Sequence, residues 1–336
     1  MKVHILDDYF DTLKTLPSFA MLEDHDVTVW TDKPENETVL AERLAEAEAL
    51  ILFRDRTEIT ESLVEKLPKL RLVAMRGAHP HVDVAALSRR GILFCSNLHA
   101  EGANLAAAEL TFALILAAAR DLPQQIASAR AGAWQCGIGR SLNGRTLGIY
   151  GYGRIGNALA NYARAFGMRV VWWASKAGRE RARVEQETVA QSREAFFAEP
   201  DFISVHKRLT PETRGEITLD DLGRMRPDAV FVNTSRAKLV APGALLQALD
   251  SGRPGRAALD VYENEPVTDP ADPVITHPKI IPTPHIGFIT QDELDQQFSD
   301  IYAIVKAYAE GVPIHMINPE AWRSLSTSRA PEVHEA

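Results

Sequence analysis

The glycine-rich stretch near the middle of the chain constrains the fold more than any other feature. Thr146 to Tyr150 is a short apolar run with the length of a buried strand. Gly151-Tyr-Gly-Arg-Ile-Gly156 follows directly, and apolar residues then recur at helical spacing until Gly167 ends the helix. A G-x-G-x-x-G turn between a strand and a helix predicts a site for the phosphates of a dinucleotide.

Each glycine of this turn has a separate physical task. Gly151 permits the tight turn, Gly153 lets the backbone approach a pyrophosphate, and Gly156 lets the helix pack closely on the strand. The phosphates are expected at the helix N-terminus, where free N–H groups and the helix dipole favour anions. The cofactor-binding residues predicted in this block are Gly151, Gly153, Arg154, Ile155 and Gly156.

The bulk composition narrows the class of protein. A chain of 336 residues predicts two domains, and a net charge of −8 without a basic tail argues against a nucleic-acid partner. The two cysteines, Cys95 and Cys136, provide no disulfide framework and fit a reducing compartment. The N-terminus does not resemble a signal peptide, and the apolar stretch 105–119 is too short to span a bilayer. We therefore expect a cytoplasmic protein with no membrane partner.

Strand patterns alternate with helical patterns along the whole chain, which predicts parallel sheets covered by helices. The expected fold class is α/β, with two doubly wound parallel-sheet domains, Rossmann or flavodoxin-like, and a deep cleft between them. We expect one domain from 1–99 plus 287–336 and an inserted dinucleotide-binding Rossmann domain from 100–286. Two long helices, about 101–120 and 289–310, join them. Ligands are expected at the carboxyl ends of the strands.

Four sequence blocks together resemble the signature blocks of the D-isomer-specific 2-hydroxyacid dehydrogenases, in that family's order and approximate spacing. The similarity continues through three further segments and covers nearly the whole chain to about residue 319. The four blocks are Gly151–Gly156, Asn233-Thr-Ser-Arg236, Ala258-Leu-Asp-Val-Tyr-Glu-Asn-Glu-Pro266 and Thr283-Pro-His-Ile-Gly287. The further segments are Gly102-Ala-Asn104, Ala108-Glu-Leu110 and Trp134.

The resemblance implies an oxidoreductase that transfers a hydride between NAD(P)H and a small 2-keto acid to give the D-2-hydroxy acid. It implies that His285 is the general acid, that Glu265 is paired with it, and that Arg236 binds the substrate. Reduction builds charge on the carbonyl oxygen, which a protonated imidazole neutralises, and a neighbouring carboxylate favours that protonated form. An arginine offers a fork of donors to a carboxylate. Singly, each residue is more often structural; the combination favours the catalytic interpretation.

The resemblance also assigns residues around this trio. Asp260 is expected to face the nicotinamide amide, and backbone N–H groups of the loop 76–78 to bind the substrate carboxylate. Further cofactor contacts are expected from His206, Thr234, Ser235 and Gly287, and substrate contacts from Arg54, Arg76, Gly77 and Ala78. No His, Cys or carboxylate cluster has the spacing of a metal site, so no metal is predicted.

The strand after the glycine turn bears on cofactor choice. An NAD site usually has an acid about 20 residues past the glycines, but Ala174 stands there, followed by Ser175, Lys176 and Arg179. Lys207 and Arg208 add two further cations. Basic side chains suit a 2′-phosphate, so NADP(H) is preferred over NAD(H). One alternative is that the cofactor is NAD(H). The other is that these basic side chains are solvated cations on the surface with no ligand.

The sequence allows several interpretations of the substrate and of the class of function. Arg54, Arg56 and Arg76 are expected to face the cleft, and the stretch Phe53-Arg-Asp-Arg-Thr57 resembles the arginine-containing loop that binds the phosphate in bacterial 3-phosphoglycerate dehydrogenases. The alternative is that one of these arginines pairs with Asp55 or Glu58 on the surface. The length and the basic cofactor strand fit a glyoxylate/hydroxypyruvate reductase better, and a glutamate at 265 argues against a formate dehydrogenase. A cofactor-sensing corepressor-like binding protein and a relative with an inactive site are the non-enzyme alternatives. The apolar excess of helix 101–120 predicts a homodimer.

Overall fold

The computed structural model describes residues 1–98 and 105–322, and the chain forms two compact units. Unit 1 consists of Met1–Gly102 and Thr290–Ala336, and unit 2 consists of Ala103–Ile289. The Gly102-Ala-Asn104 segment lies outside the described residues. Among the described helices, none has the length and apolar character needed to cross a membrane.

Strands and helices alternate through the described chain. The strands are β1 (Lys2–Ile5), β2 (Asp26–Val29), β3 (Ala49–Ile51), β4 (Leu72–Arg76), β5 (Leu93–Asn97), β6 (Thr146–Tyr150), β7 (Arg169–Trp173), β8 (Phe202–Val205), β9 (Val230–Asn233), β10 (Arg256–Leu259) and β11 (Ile280–Pro282). The α-helices are α1 (Glu37–Leu44), α2 (Glu61–Glu65), α3 (Val84–Arg89), α4 (Ala106–Arg120), α5 (Leu122–Arg130), α6 (Arg154–Ala165), α7 (Lys176–Val184), α8 (Arg193–Ala198), α9 (Leu219–Arg224), α10 (Ala244–Asp250), α11 (Pro273–Thr276) and α12 (Gln291–Ala309). Short 3₁₀ turns cover Leu13–Thr15, Pro17–Leu22, Pro211–Thr213 and Ala237–Leu239.

Unit 1 contains a five-stranded parallel sheet in the order β2-β1-β3-β4-β5. Its helices begin at side chains that accept a hydrogen bond from the backbone N–H three residues later, at Asn36, Thr60 and Asp83. Strands covered by helices on both faces are almost entirely apolar, and β3 and β4 bury nearly every side chain.

Unit 2 contains a six-stranded parallel sheet in the order β11-β10-β9-β8-β6-β7. The chain moves outward from β6 to β7 and then crosses to β8 on the other side, so the strand order reverses at β6. Ligands in such sheets bind at the carboxyl ends of strands beside this reversal. The glycine turn follows β6 directly, which places it at the switch point.

The prediction of two parallel-sheet α/β domains is confirmed, whereas the apolar side chains of α4 from which a homodimer is predicted are only partly exposed. The apolar side chains Phe112, Leu114 and Ile115 of α4 are buried inside unit 2, in the same core cluster as Leu159 of α6. These three side chains are therefore not available to a second subunit, whereas Leu105 is 42% exposed and Leu110 and Leu116 are partly buried. Further large exposed apolar side chains occur just after α4, at Leu122, Ile126, Trp134 and Ile138.

Candidate active site

His285 and Glu265 form a hydrogen-bonded pair in unit 2. His285 Nδ1 lies 2.5 Å from Glu265 Oε2, and the Tyr262 backbone N–H donates to Glu265 Oε1 at 2.8 Å. Both oxygens of the carboxylate are therefore engaged, which fixes its orientation toward the imidazole. Within the described residues His285 Nε2 has no hydrogen-bond partner, so this nitrogen is available for a reacting group.

The electrostatics of the pair favour a charged carboxylate. Burial raises the pKa of Glu265, but the hydrogen bond and charge of His285, the Tyr262 N–H and the attraction of Arg236 together outweigh burial, so the net shift is downward. The influence of Arg236 on this carboxylate also places the guanidinium within electrostatic range of the pair. The arrangement matches a general acid oriented by an ionised carboxylate.

Asp260 holds the loop that carries His285. Its Oδ1 accepts hydrogen bonds from Thr283 Oγ1 at 2.6 Å and from the Ile286 N–H at 2.9 Å, and its Oδ2 accepts from the Gly287 N–H at 2.8 Å. Asp260 is fully buried, and burial raises its pKa despite these bonds. A Cβ at Gly287 would lie 3.0 Å from Asp260 Oδ2, so the glycine permits this close approach.

The Asp260 carboxylate was expected to face the nicotinamide amide. In the structure both of its oxygens bond the 283–287 loop, so its visible role is to position His285. That role depends on Thr283, a residue of the sequence motif whose function the motif alone does not reveal. The Tyr262 hydroxyl supports the same loop by donating to the Thr283 carbonyl at 2.9 Å.

Arg236 lies just after β9, in a loop organised by Asn233. The buried Asn233 side chain accepts from the Ser235 N–H and donates to the Arg236 carbonyl, both at 3.0 Å. The Arg236 side chain is exposed, donates to the Ser235 carbonyl at 2.7 Å, and forms no ion pair with a described carboxylate. Thr234 Oγ1 lies 2.7 Å from Thr111 Oγ1, and Ser235 Oγ donates to the Lys207 carbonyl at 2.9 Å.

The glycine turn leaves space for a phosphate group. Gly151 has φ +117°, and a Cβ there would lie 2.3 Å from the His206 carbonyl oxygen, so only glycine fits. A Cβ at Gly153 would meet no atom within 4 Å, and no side chain caps α6 at this residue. The N-terminus of α6, with its backbone N–H groups and the positive end of the helix dipole, therefore faces this space. The residues present fit the pyrophosphate of a dinucleotide.

The carboxyl end of β7 is basic and carries no acid. Ser175 caps α7 by accepting from the Gly178 N–H at 3.2 Å. The Arg179 guanidinium stacks on the Trp173 ring at 4.3 Å and donates to the Ala174 carbonyl at 2.5 Å. Lys176 is exposed and forms no ion pair within the described residues. Arg179 is therefore fixed beside the position where an NAD site has its acid.

The three basic residues after β8 have different surroundings. Lys207 Nζ binds both carboxylate oxygens of Glu216, at 2.6 and 2.5 Å, so its charge is compensated inside the unit. His206 Nε2 lies 2.8 Å from Ser204 Oγ, and burial lowers the pKa of His206 to about 4, which leaves it neutral near pH 7. Arg208 is exposed and its guanidinium has no partner in the described part of the chain.

In unit 1, the arginines expected near the substrate, Arg54, Arg56 and Arg76, all have interactions within the protein. Arg76 Nε lies 3.1 Å from Asp300 Oδ2, and the Arg56 guanidinium stacks on Phe53 at 4.3 Å and donates to the Asp7 carbonyl at 2.6 Å. The partner of Arg76 is thus a residue of α12, not Asp55 or Glu58. Arg54 follows the β3 segment with φ +60°.

The loop after β4 was expected to offer backbone N–H groups to a carboxylate. The Gly77 N–H donates to the Asn97 carbonyl at 3.1 Å, so this donor already has a partner. Ala78 is exposed at the tip of the loop. Among the described residues no group of three or more His, Cys, Asp or Glu side chains could hold a metal ion.

Comparison with known proteins places the chain among dehydrogenases. Residues 112–287 match the family model described as D-isomer specific 2-hydroxyacid dehydrogenase, NAD binding domain. The chain is 33% identical to a glyoxylate reductase from Thermococcus litoralis, over 89% of this chain and 92% of that protein. It is 35% identical to a D-3-phosphoglycerate dehydrogenase from Mycobacterium tuberculosis, over 89% of this chain but only 56% of that protein.

A solved structure agrees with this placement. The crystal structure titled as a putative D-3-phosphoglycerate dehydrogenase oxidoreductase from Ralstonia solanacearum is 40% identical and superimposes with a TM-score of 0.90. The superposition covers 96% of this chain and 98% of the Ralstonia chain. The chain spans about half the length of the mycobacterial relative, whereas it matches this structure almost end to end.

Proposed function

The chain belongs to the D-isomer-specific 2-hydroxyacid dehydrogenase family, and from that premise we propose that it reduces a small 2-keto acid to the D-2-hydroxy acid with a reduced nicotinamide cofactor. The observation that carries the proposal is the Glu265–His285 pair, set on a loop that Asp260 fixes by three hydrogen bonds. An orienting carboxylate with a free imidazole Nε2 is the arrangement that proton transfer to an alkoxide requires.

The protein groups would act as follows. The nicotinamide, when bound, supplies the hydride that adds to C2 of the keto acid. Arg236 binds the substrate carboxylate, and His285 Nε2 donates its proton to the C2 oxygen as that oxygen gains charge. Glu265 stabilises the imidazolium before transfer. The keto acid, NAD(P)H and one proton thus become the D-2-hydroxy acid and NAD(P)⁺.

We assign the cofactor to unit 2 and the substrate specificity to unit 1, with the dinucleotide domain at about 100–286 and the substrate-binding domain at 1–99 plus 287–336. The space beside Gly153 supports a pyrophosphate at α6. Thr234, Ser235 and Gly287 belong to the loops that would surround the nicotinamide. These assignments rest on the family and on the loops described above.

We further propose that NADP(H) is preferred over NAD(H). The support is the absence of an acid at Ala174, together with the exposed cations Lys176 and Arg208 and the fixed Arg179 at the end of β7. Cations without carboxylate partners gain most from a 2′-phosphate. Lys207 is removed from the proposed phosphate contacts because Glu216 already neutralises it.

The proposed substrate is of the glyoxylate or hydroxypyruvate type. Arg76 pairs with Asp300, Arg56 is stacked on aromatic rings, and Arg54 also has an interaction within the protein, so all three arginines are already engaged. A 3-phosphoglycerate-type reaction is the second candidate, favoured by the similarity to the phosphoglycerate dehydrogenases. The glyoxylate reductase and the D-3-phosphoglycerate dehydrogenase are about equally similar to this chain, at 33% and 35% identity.

The experiment is a steady-state survey of purified protein with NADPH and NADH against glyoxylate, hydroxypyruvate, pyruvate and 3-phosphohydroxypyruvate. Consumption of the reduced cofactor with an unphosphorylated keto acid, faster with NADPH, is the expected result. A preference for 3-phosphohydroxypyruvate would favour the second candidate. Tight cofactor binding without turnover on any keto acid would favour a cofactor-sensing, corepressor-like role instead.

We also propose a homodimer, and the support comes from exposed apolar residues on and near α5. Helix α5 buries none of its side chains in its own chain, and Leu122, Ile126, Trp134 and Ile138 are exposed around it. Covering such a patch is a common reason for self-association. A monomeric mass by light scattering at micromolar protein would reject it. A cytoplasmic location is consistent with two cysteines, both unpaired.

A further inference from the structure

A cavity of about 230 Å³ lies in unit 2 behind the catalytic loops. One side is formed by the 3₁₀ turn Ala237–Leu239 and α10, and the other by the segment 261–274 that follows β10. Its walls are mainly apolar and include Val240, Leu245, Leu246, Val261, Val267 and Val274. None of the residues proposed above to contact the cofactor or substrate lines it.

The size of the cavity suits a small organic molecule. A protein cavity of about 150 Å³ with apolar walls is large enough to bind benzene. The space here therefore admits a six-membered ring with a short side chain. An apolar wall with few polar groups is the usual lining of a ligand site.

The polar groups of the lining determine the charge of the occupant. Glu263 and Asp272 contribute carboxylates, and the lining contains no Lys or Arg. Glu263 is exposed and has neither a hydrogen bond nor an ion pair within the described residues, while Asp272 caps α11 with one of its oxygens. Two carboxylates without a cation attract a positive group and repel an anionic keto acid.

Two lining residues bond directly to the groups that support catalysis. Asn233 donates to the Arg236 carbonyl at 3.0 Å. Tyr262 donates its backbone N–H to Glu265 at 2.8 Å and its hydroxyl to the Thr283 carbonyl at 2.9 Å. A molecule in the cavity would therefore touch two residues, Asn233 and Tyr262, that bond the segments carrying Arg236, Glu265 and His285.

We propose that this cavity is a binding site for a small amine that carries an apolar ring, and that its occupation changes the reductase activity through Asn233 and Tyr262. The ring fills the apolar walls, and the ammonium group lies toward Glu263 and Asp272. Binding rests on the cavity alone, whereas the effect on turnover rests on the proposed function.

Calorimetric titration of the intact protein with phenethylamine tests the binding. Phenylacetate and phenethyl alcohol are probes of similar shape with the opposite charge and no charge. We expect phenethylamine to bind at least about tenfold more tightly than phenylacetate, a difference of about 1.4 kcal/mol. Equal affinity for the amine and the acid would overturn the proposed ligand class.

Two variants locate the site. Val267→Phe fills the cavity from a half-buried loop position and should weaken phenethylamine and phenethyl alcohol alike. Glu263→Gln should weaken the amine several-fold and leave the alcohol unchanged, whereas Glu199→Gln, at an exposed glutamate outside the cavity lining, should change neither. Phenethylamine binding that neither Val267→Phe nor Glu263→Gln reduces would place it elsewhere and overturn the site.

The coupling has a readout that does not need turnover. On saturation with phenethylamine, the NMR signals of the His285 imidazole should shift, and the shift should disappear in Val267→Phe. Steady-state rates with the best keto acid should change in parallel. Binding that leaves the His285 signals unmoved would refute the coupling while retaining the site. A shift without any keto acid turnover would retain both and contradict only the proposed function.

Discussion

The two ends of the proposed cofactor site in unit 2 are built differently. At the ends of β10 and β11, the polar side chains are fixed by bonds within the protein, since Asp260 accepts three hydrogen bonds and Glu265 accepts two. At the end of β7, Lys176 is an exposed cation without a carboxylate partner among the described residues, and Ala174 occupies the place of an acid. The side chains at the ends of β10 and β11 are held in place by hydrogen bonds before a ligand binds, whereas the end of β7 contributes mainly positive charge.

This difference separates two kinds of selectivity. A reacting group must be held at a defined position, so the reaction end is fixed by a buried carboxylate and a restrained loop. Choice between two cofactors that differ by one phosphate requires only a difference in local charge. Substitutions at the reaction end should therefore have large effects, and those at the ribose end smaller ones.

The largest effect is expected from His285→Gln, which removes the proposed proton donor while keeping a side chain of similar length. General acid catalysis contributes about 10²–10⁴ in rate, so kcat/KM for keto acid reduction should fall by that factor. Cofactor affinity, measured by fluorescence titration, should stay the same. The control is His277→Gln, whose imidazole contacts Asp250 on the surface. A His285→Gln protein with unimpaired turnover would remove His285 from the mechanism.

An intermediate effect is expected from Ala174→Asp at the ribose end. The new carboxylate would accept bonds from the ribose hydroxyls of NADH and repel a 2′-phosphate, so the ratio of kcat/KM for NADPH to that for NADH should fall about tenfold, or about 1.4 kcal/mol. Ala198→Asp makes the same change at an exposed position of α8 and should leave the ratio unaltered. A wild-type protein that already favours NADH would contradict the cofactor assignment itself.

The smallest effect concerns stability and pH at the Glu265–His285 pair. Because the pKa of Glu265 is lowered in the folded protein, its contribution is present above the ordinary carboxyl value and is lost as pH falls through the folded value. The unfolding free energies of wild type and Glu265→Gln should differ near neutral pH and converge below about pH 4. The side chains are 28% and 32% exposed, so the difference should stay below about 1 kcal/mol. Denaturant titrations at several pH values measure this difference in unfolding free energy. A difference that grows as the pH falls would contradict the predicted direction.

Much of this comparison could be predicted from the sequence. The strand, glycine turn and helix of β6–α6 follow from local patterns, and the trio Arg236, Glu265 and His285 follows from ordered blocks. Helices α5 and α7 were harder to identify because they bury few or none of their side chains, so apolar periodicity does not mark them.

The partners of the charged residues could not be predicted. Arg76 pairs with Asp300, from a helix at the other end of the chain, and Lys207 pairs with Glu216 across a loop. Ion pairs of this kind depend on tertiary packing, which local sequence patterns do not reveal. The sequence therefore shows which cationic side chains are present, but not which of them are already paired with a carboxylate in the fold.

The central claim is that this site transfers a hydride to C2 of a keto acid with one handedness. The most direct measurement uses NADPH carrying deuterium at the transferable position of C4, hydroxypyruvate as acceptor, and mass and chiral analysis of the product. We expect D-glycerate with deuterium at C2, formed by wild type and formed about 10²–10⁴ times more slowly by His285→Gln. An L product, or a product without deuterium, would contradict it.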